Sequence, residues 1–170
     1  EYALKRLLGE AGDSLRRIYA LTPCFRDEPP SSTHSPEFSM LEWYTRDLQL
    51  DELMTQCEEL ICSLADVART RRSPDALDHW LKRDVPFERL SVQEAFIRYA
   101  QIDLGKCPDA DTLRRAAIRC GLSERVLHGS WDEIYFQIFM DLVEPKLGHI
   151  HPTFLYDFPA SQAALANLNP

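Results

Sequence analysis

The sequence predicts an α+β chain in which an antiparallel sheet is flanked by helices. Three observations carry that expectation. Side chains alternate at period two in two neighbouring stretches, Ile18 to Phe25 and Phe38 to Tyr44, and that spacing puts every second residue on one face of a strand. From Leu50 to Ala68 the apolar spacing switches to three and four, the stripe of an amphipathic helix. Further on, Ser91 with Glu94 and Ser130 with Glu133 form Ser-x-x-Glu capping boxes, each opening a helix.

Taken in order, Tyr2, Leu4, Leu7 and Leu8 around Lys5 and Arg6 predict a short amphipathic helix, Glu1 to Glu10. Gly9, Gly12, Asp13 and Ser14 end it. A strand follows from Ile18 to Phe25 or Arg26, then an acidic, Pro- and Ser-rich loop over 27–36, then the second strand. Pro36 biases Ser35 to extended backbone just before that strand. A ten-residue loop between paired strands is longer than a tight hairpin needs, and long ordered loops tend to carry function. The unit is strand-loop-strand over 18–45.

The helix from Leu50 uses Leu53, Met54, Cys57, Leu60, Ile61, Leu64 and Ala68 as a core-packing face. Asp51 and Glu52 in its first turn and Arg69, Arg71 and Arg72 at its end match the helix dipole. Residues 72–86, with Pro74 and Pro86, read as a connector leading to a strand at Phe87–Leu90. Helices are expected from Ser91 to Tyr99, from Leu113 to Cys120 (opened by Asp109 or Asp111, stopped by Gly121), and from Trp131 to Leu142, ending before Pro145. The helical portion thus runs over 50–145 and carries no catalytic constellation. The segment 152–159, bounded by Pro152 and Pro159 and alternating between them, reads as a last strand.

Composition narrows the function classes. The 170 residues hold 19 Lys and Arg against 27 Asp and Glu, a formal net charge of −8, which argues against a dedicated nucleic-acid module. The basic clusters at Lys5-Arg6, Arg16-Arg17 and Arg69 to Arg72 are short and read as solvated helix ends. Five cysteines, at 24, 57, 62, 107 and 120, form no C-x-x-C pair; they read as buried free thiols of a reducing compartment, with no metal site. No apolar run reaches the length of a membrane span, and a cytoplasmic location is expected. Residue 1 is Glu and opens inside a helical pattern, so the chain is expected to be an internal piece of a longer protein.

The chemistry concentrates in Phe25-Arg26-Asp27-Glu28 and in His34 through Tyr44. Arg26 offers a planar donor fork for phosphate or carboxylate. Glu28 accepts hydrogen bonds, as from an exocyclic amine. His34 and the loop could reach a second phosphate, and Phe38 offers a flat face to a base. Glu42 and Tyr44, further along the face of Phe38 and Met40, suit a cationic amine. Singly these residues fit plainer roles: Arg26 with Glu42 a cross-strand ion pair, Phe38 and Met40 core. As a set they describe a nucleotide phosphate beside a small amino compound. Such a site activates a carboxylate by positioning and electrostatics, with no nucleophilic side chain.

Residues 25–44 resemble motif two of class II aminoacyl-tRNA synthetases in the form found in lysyl-tRNA synthetases, and Glu1 to Leu8 resembles the segment before it. The ending Phe158-Pro159-Ala160-Ser161-Gln162 is similar to that of the truncated bacterial paralogues that act as elongation factor P–lysine ligases. The chain is thereby identified as a partial class II synthetase catalytic domain over 1–170. The resemblance implies ATP as cofactor, with Arg26 on the α-phosphate and the acyl group, Glu28 on the adenine amine, His34 and Ser35 near the outer phosphates, and Phe38 stacked on adenine. Glu1 would contact the α-amino end of lysine, with Glu42 and Tyr44 facing the amino-acid pocket.

The implied reaction is adenylation of lysine or β-lysine and transfer to a lysine of elongation factor P. The alternatives are a lysyl-tRNA synthetase fragment charging tRNA and a catalytically silent synthetase-like binding module. The family forms homodimers largely through motif one, which is expected before Glu1, so the interface is expected to be incomplete in this piece. Motif three and the acids that hold Mg2+ are expected after Pro170, so the piece alone is expected to be inactive. Asp27 and Ser35 stand where family members commonly have Asn.

Overall fold

The computed structural model describes residues 2–32, 34–71, 81, 84–163 and 166, with the side chain of residue 71 excepted. Glu1 and most of the 72–86 connector, Arg72 included, lie outside the described residues. The chain divides into two compact units, Glu1–Thr55 and Gln56–Pro170.

The first unit holds helix α1 (Tyr2–Glu10) and a two-stranded antiparallel sheet of β1 (Arg17–Phe25) and β2 (Glu37–Thr45). The register pairs Cys24 with Phe38, Thr22 with Met40, Ala20 with Glu42 and Ile18 with Tyr44. Arg26 N donates to Pro36 O at 2.9 Å and extends the ladder one step past the last pair. Period-two sequence therefore becomes two faces. One carries Phe38, Met40, Glu42 and Tyr44, all partly buried. The other carries Tyr19, Leu21 and Phe25, which are 74%, 66% and 72% exposed. At the far end of the ladder, Arg46 N donates to Arg16 O (2.9 Å), and the Arg46 guanidinium donates to Leu8 O, tying the end of α1 to the end of β2.

Helix α2 (Leu50–Arg71) begins in the first unit and ends in the second. Gln49 N donates to Glu52 Oε2 at 2.8 Å, satisfying a donor just before the helix starts. The expected core-packing face is buried only in part. Of that face only Met54 is buried, Cys57 and Leu60 are partly covered, and Leu53, Ile61, Leu64 and Ala68 are exposed, while Cys62 and Ala65, outside the expected set, are covered. The covered line of the helix is therefore offset from the apolar stripe read in the sequence.

The second unit is a helical lobe closed by a parallel pair, β3 (Glu88–Ser91) with β4 (Thr153–Tyr156). Alternation in the sequence located both strands but could not orient them. The Glu88 carboxylate locks the pair: it accepts from Arg98 Nη1 at 2.5 Å and from Thr153 Oγ1 at 3.2 Å. The Arg98 bond is the main reason the Glu88 carboxyl lies below its ordinary range.

All three helices between these strands start at reciprocal caps. They are α3 (Val92–Ala95), α4 (Ala110–Arg119) and α5 (Trp131–Ile138), capped by Ser91 with Glu94, Asp109 with Thr112, and Ser130 with Glu133. Helices α3 and α5 do not run on as regular α-helix to Tyr99 and Leu142. Each widens into a π-helical turn, Phe96–Ala100 and Phe139–Val143. Both turns supply aromatic rings to one core. Tyr135 stacks with Phe96 (5.0 Å between centroids), Trp131 (5.3 Å) and Phe139 (6.2 Å), and Leu90, Leu113, Leu127, Ile134 and Ile138 close around them. Burying a side chain of this size contributes roughly 1.5–3 kcal/mol.

All five cysteines are free thiols, but only Cys62 and Cys107 are buried. No described helix is long and apolar enough to cross a membrane.

Candidate active site

The face of β2 that carries Phe38, Met40, Glu42 and Tyr44 has a different chemistry at each end. Phe38 and Glu42 are four residues apart on an extended strand, about 13 Å at 3.3 Å per residue. The site is therefore elongated.

At the loop end, Arg26 continues the parity of Cys24 and so faces the same way as its cross-strand neighbour Phe38. Its guanidinium carbon lies 5.3 Å from the Phe38 ring centroid, a cation–π contact. The plainer expectation of an Arg26–Glu42 ion pair does not describe this geometry, because Glu42 sits opposite Ala20, four pairs further along the ladder from Phe38. The loop itself is ordered by local hydrogen bonds. Ser31 N donates to His34 O (3.0 Å), His34 N donates to Ser31 Oγ (3.1 Å), and Ser31 Oγ meets His34 Nδ1 at 3.0 Å. Ser35 Oγ donates to Glu37 O at 2.7 Å, which turns its hydroxyl onto the chain. Asp27 and Glu28 stand exposed between Arg26 and this turn.

At the far end, Tyr44 Oη donates to Glu42 Oε1 at 2.5 Å. That bond is the largest cause holding the Glu42 carboxyl below its ordinary range, and the charge of Lys5 adds to it. Lys5, from α1, places its ammonium 5.4 Å from the Tyr44 ring centroid. A lysine-type cation thus already lies beside the two groups read as an amine pocket. The sequence reading missed Lys5, which looked like the polar face of a short helix; the signal was a cation one helical turn after Glu1.

The structure therefore brings Arg26 and Phe38 together, and Glu42 and Tyr44 together, on one strand face. It places Glu28, His34 and Ser35 on the adjoining loop. Glu1 lies outside the described residues. Among the described residues no group of three or more His, Cys, Asp and Glu is placed to hold a metal ion.

Comparison with known proteins places the chain in a family. The family described as tRNA synthetases class II (D, K and N) matches residues 3–169. Similar curated relatives include the elongation factor P–(R)-beta-lysine ligase of Proteus mirabilis, 35% identical over 170 residues, covering 99% of this chain and 46% of the relative. The Vibrio cholerae protein of that name is 37% identical over 174 residues, covering 100% and 46%. The chain spans about half the length of the curated relatives it matches. Among solved structures, asparaginyl-tRNA synthetase from Pyrococcus horikoshii complexed with asparaginyl-adenylate is 27% identical, with a TM-score of 0.46, over 68% of this chain and 29% of that one.

Proposed function

The chain belongs to the class II tRNA synthetase family (D, K and N), and from that premise we propose that it carries part of the active site of a ligase that activates lysine or β-lysine with ATP and transfers it to a lysine of elongation factor P. One observation carries the reading: a single strand face presents a guanidinium on an aromatic ring at one end and an ionised carboxylate with a phenol at the other. That is the order of groups an aminoacyl-adenylate needs.

In this reading a carboxylate oxygen of the amino acid attacks the α-phosphorus of ATP. The bond to the β-phosphate breaks and pyrophosphate leaves. Arg26 sits where negative charge gathers on the α-phosphate and donates to it in place of water. Phe38 takes the adenine on its ring, Glu28 accepts from the adenine amine, and His34 stands near the outer phosphates. Ser35 reaches them only if its hydroxyl gives up Glu37 O, so its contribution runs through loop shape. Glu42, kept ionised by Tyr44, accepts from the substrate ammonium, and Glu1 holds the α-amino end. In the second step the acceptor amine attacks the acyl carbon, an amide forms and AMP departs.

Class II synthetases use Mg2+ with ATP, and the proposed reaction draws on both, in a protein proposed to act as a homodimer.

A protein acceptor is favoured over tRNA by the net charge of −8 and by the relatives, which are named as elongation factor P ligases. The test uses the complete gene product. Lysine- or β-lysine-dependent ATP–pyrophosphate exchange, abolished by Arg26→Ala, is expected; near-normal exchange in that variant would sink the site assignment. Labelled lysine offered to elongation factor P and to tRNA then separates the two acceptors.

A further inference from the structure

The second unit contains a cavity of about 380 Å3 that the adenylation chemistry does not use. It lies between α4 and the loop over 101–107. Its lining includes Arg115, Arg119, Lys106 and Asp103 above Ile102, Cys107 and Ala116. We infer that this cavity binds a compact phosphate-type anion, held by the guanidinium groups of Arg115 and Arg119.

The argument starts from what the other charges on these elements do. Arg114, the neighbour of Arg115 on α4, is fully engaged. It pairs with Asp111 at 2.6 Å and donates to Leu127 O at 2.9 Å. Asp103 is engaged as well. Its Oδ1 accepts from Gln93 Nε2 (2.6 Å) and Gly105 N (3.1 Å), and its Oδ2 pairs with Lys106 at 2.9 Å. Thr112 spends its hydroxyl on the Asp109 cap. Among the described residues no carboxylate lies within ion-pair distance of Arg115 or Arg119. Four residues apart on one helix, they stand about one turn from each other on the same side, about 6 Å along the axis.

The floor strengthens the case. Ile102, Cys107 and Ala116 are 2%, 5% and 6% exposed, so the two guanidiniums border apolar, weakly screening material on one side. Three cations against one carboxylate give the lining a formal charge of +2, which the nearby Asp109 carboxylate, engaged at the α4 cap, reduces toward +1, within a chain of net charge −8. Such a local reversal concentrates anions. Two donor forks one turn apart suit an anion with several oxygens, each fork giving parallel N–H bonds. The volume sits near the lower end of the roughly 300–1,000 Å3 range of ligand sites, which favours a short phosphate chain. Pyrophosphate and the phosphate chain of a nucleotide share that chemistry.

The experiment is calorimetric titration of the 170-residue chain with sodium pyrophosphate, ATP, adenosine and a short polyglutamate peptide at matched ionic strength. Pyrophosphate is expected to bind, and the double variant Arg115→Gln/Arg119→Gln to weaken it at least tenfold. Arg125→Gln, at an exposed arginine of the same lobe outside the cavity, is expected to leave that affinity within twofold. Only the part of ATP binding that the double variant loses is assigned to the cavity: a loss like that for pyrophosphate assigns the site to phosphate oxygens alone, and a larger loss, with adenosine silent, assigns it to a nucleotide's phosphate chain.

The inference is overturned by a wild-type chain that ignores pyrophosphate, by a double variant that binds it normally, by an equal loss in Arg125→Gln, or by tighter binding of polyglutamate. A second readout does not depend on heat. Bound pyrophosphate should slow alkylation of Cys107 in the cavity floor, measured by peptide mass spectrometry, and leave Cys24 unchanged. Equal Cys107 rates with and without the anion would count against the site.

Discussion

The Arg26 guanidinium rests over the Phe38 ring at 5.3 Å, so the phosphate-binding and base-binding groups of the proposed site support one another before any nucleotide arrives. An exposed cation–π contact of this kind contributes about 0.5–1 kcal/mol, and a base stacked on the same ring about 1–3 kcal/mol. Phe38→Leu in the complete protein removes both. The KM for ATP in pyrophosphate exchange is expected to rise by about 10- to 100-fold, and a value like that of wild type would remove Phe38 from the nucleotide site. Arg26→Lys keeps the charge and loses the fork; kcat/KM should fall by roughly 100-fold.

Glu42 and Tyr44 make a second pair whose effect is visible in pH. The Tyr44 hydroxyl holds the Glu42 carboxyl below its ordinary range. Tyr44→Phe removes that donor, so the carboxyl moves up toward the usual value and is protonated at higher pH. The acid limb of kcat/KM for lysine is then expected to shift upward in pH, with the plateau reduced only a few-fold. Glu42→Gln abolishes the charge and should weaken lysine binding on the order of 10- to 100-fold. An acid limb that stays in place in Tyr44→Phe would separate Tyr44 from the carboxylate it touches.

Tyr135 is fully buried, and among the described residues its hydroxyl has no hydrogen-bond partner. Leaving such a group unsatisfied costs about 1–3 kcal/mol. Tyr135→Phe keeps the ring stack and removes the hydroxyl, so the melting temperature of the chain should hold or rise. Burial also pushes the phenol up to about 12, above an unfolded value near 10. A raised pKa means the folded state keeps the proton longer. Stability is whole below about pH 10 and is lost as pH climbs toward 12, at no more than about 1.4 kcal/mol per pH unit from this group. Wild type should lose stability faster than Tyr135→Phe across that window in denaturant titrations; parallel curves would refute the account.

Gly129 has φ of +87°, and a Cβ there would overlap the Glu133 carboxylate. That carboxylate closes the α5 cap by accepting from Ser130 N (2.7 Å) and Ser130 Oγ (2.9 Å). Gly129→Ala therefore combines backbone strain of about 1 kcal/mol with damage to a cap worth about 1 kcal/mol. Denaturant unfolding should show a loss of roughly 2 kcal/mol. Because the two effects share one carboxylate, Gly129→Ala with Glu133→Ala should lose less than the sum of the single changes. Strict additivity would disconnect them.

Much of this molecule was legible in the chain because its signals are local. The period-two spacing of Phe38, Met40, Glu42 and Tyr44 became a shared strand face, and two Ser-x-x-Glu boxes opened α3 and α5 as written. Other features depend on residues far apart in sequence. The parallel sense of β3 and β4 rests on contacts across the whole lobe, which alternation does not encode. The π-helical turns after α3 and α5 arise where Phe96 and Phe139 seat their rings around Tyr135, a packing demand that overrides regular helix spacing. Lys5 could not be matched to Tyr44 without the fold, since 39 positions separate them.

The parallel pair of β3 and β4 also sets when the lobe can finish folding. Glu88 and Thr153, which the same pairing joins, are 65 residues apart in sequence. Loops of that length raise contact order, and closing them carries an entropy cost that nearby contacts cannot offset early. Helices α3 to α5 can form from local caps as the chain leaves the ribosome. The lock on Glu88 waits until residues 153–156 have emerged. Until then β3 stands as a bare strand edge, the state in which a growing chain is most exposed to wrong partners.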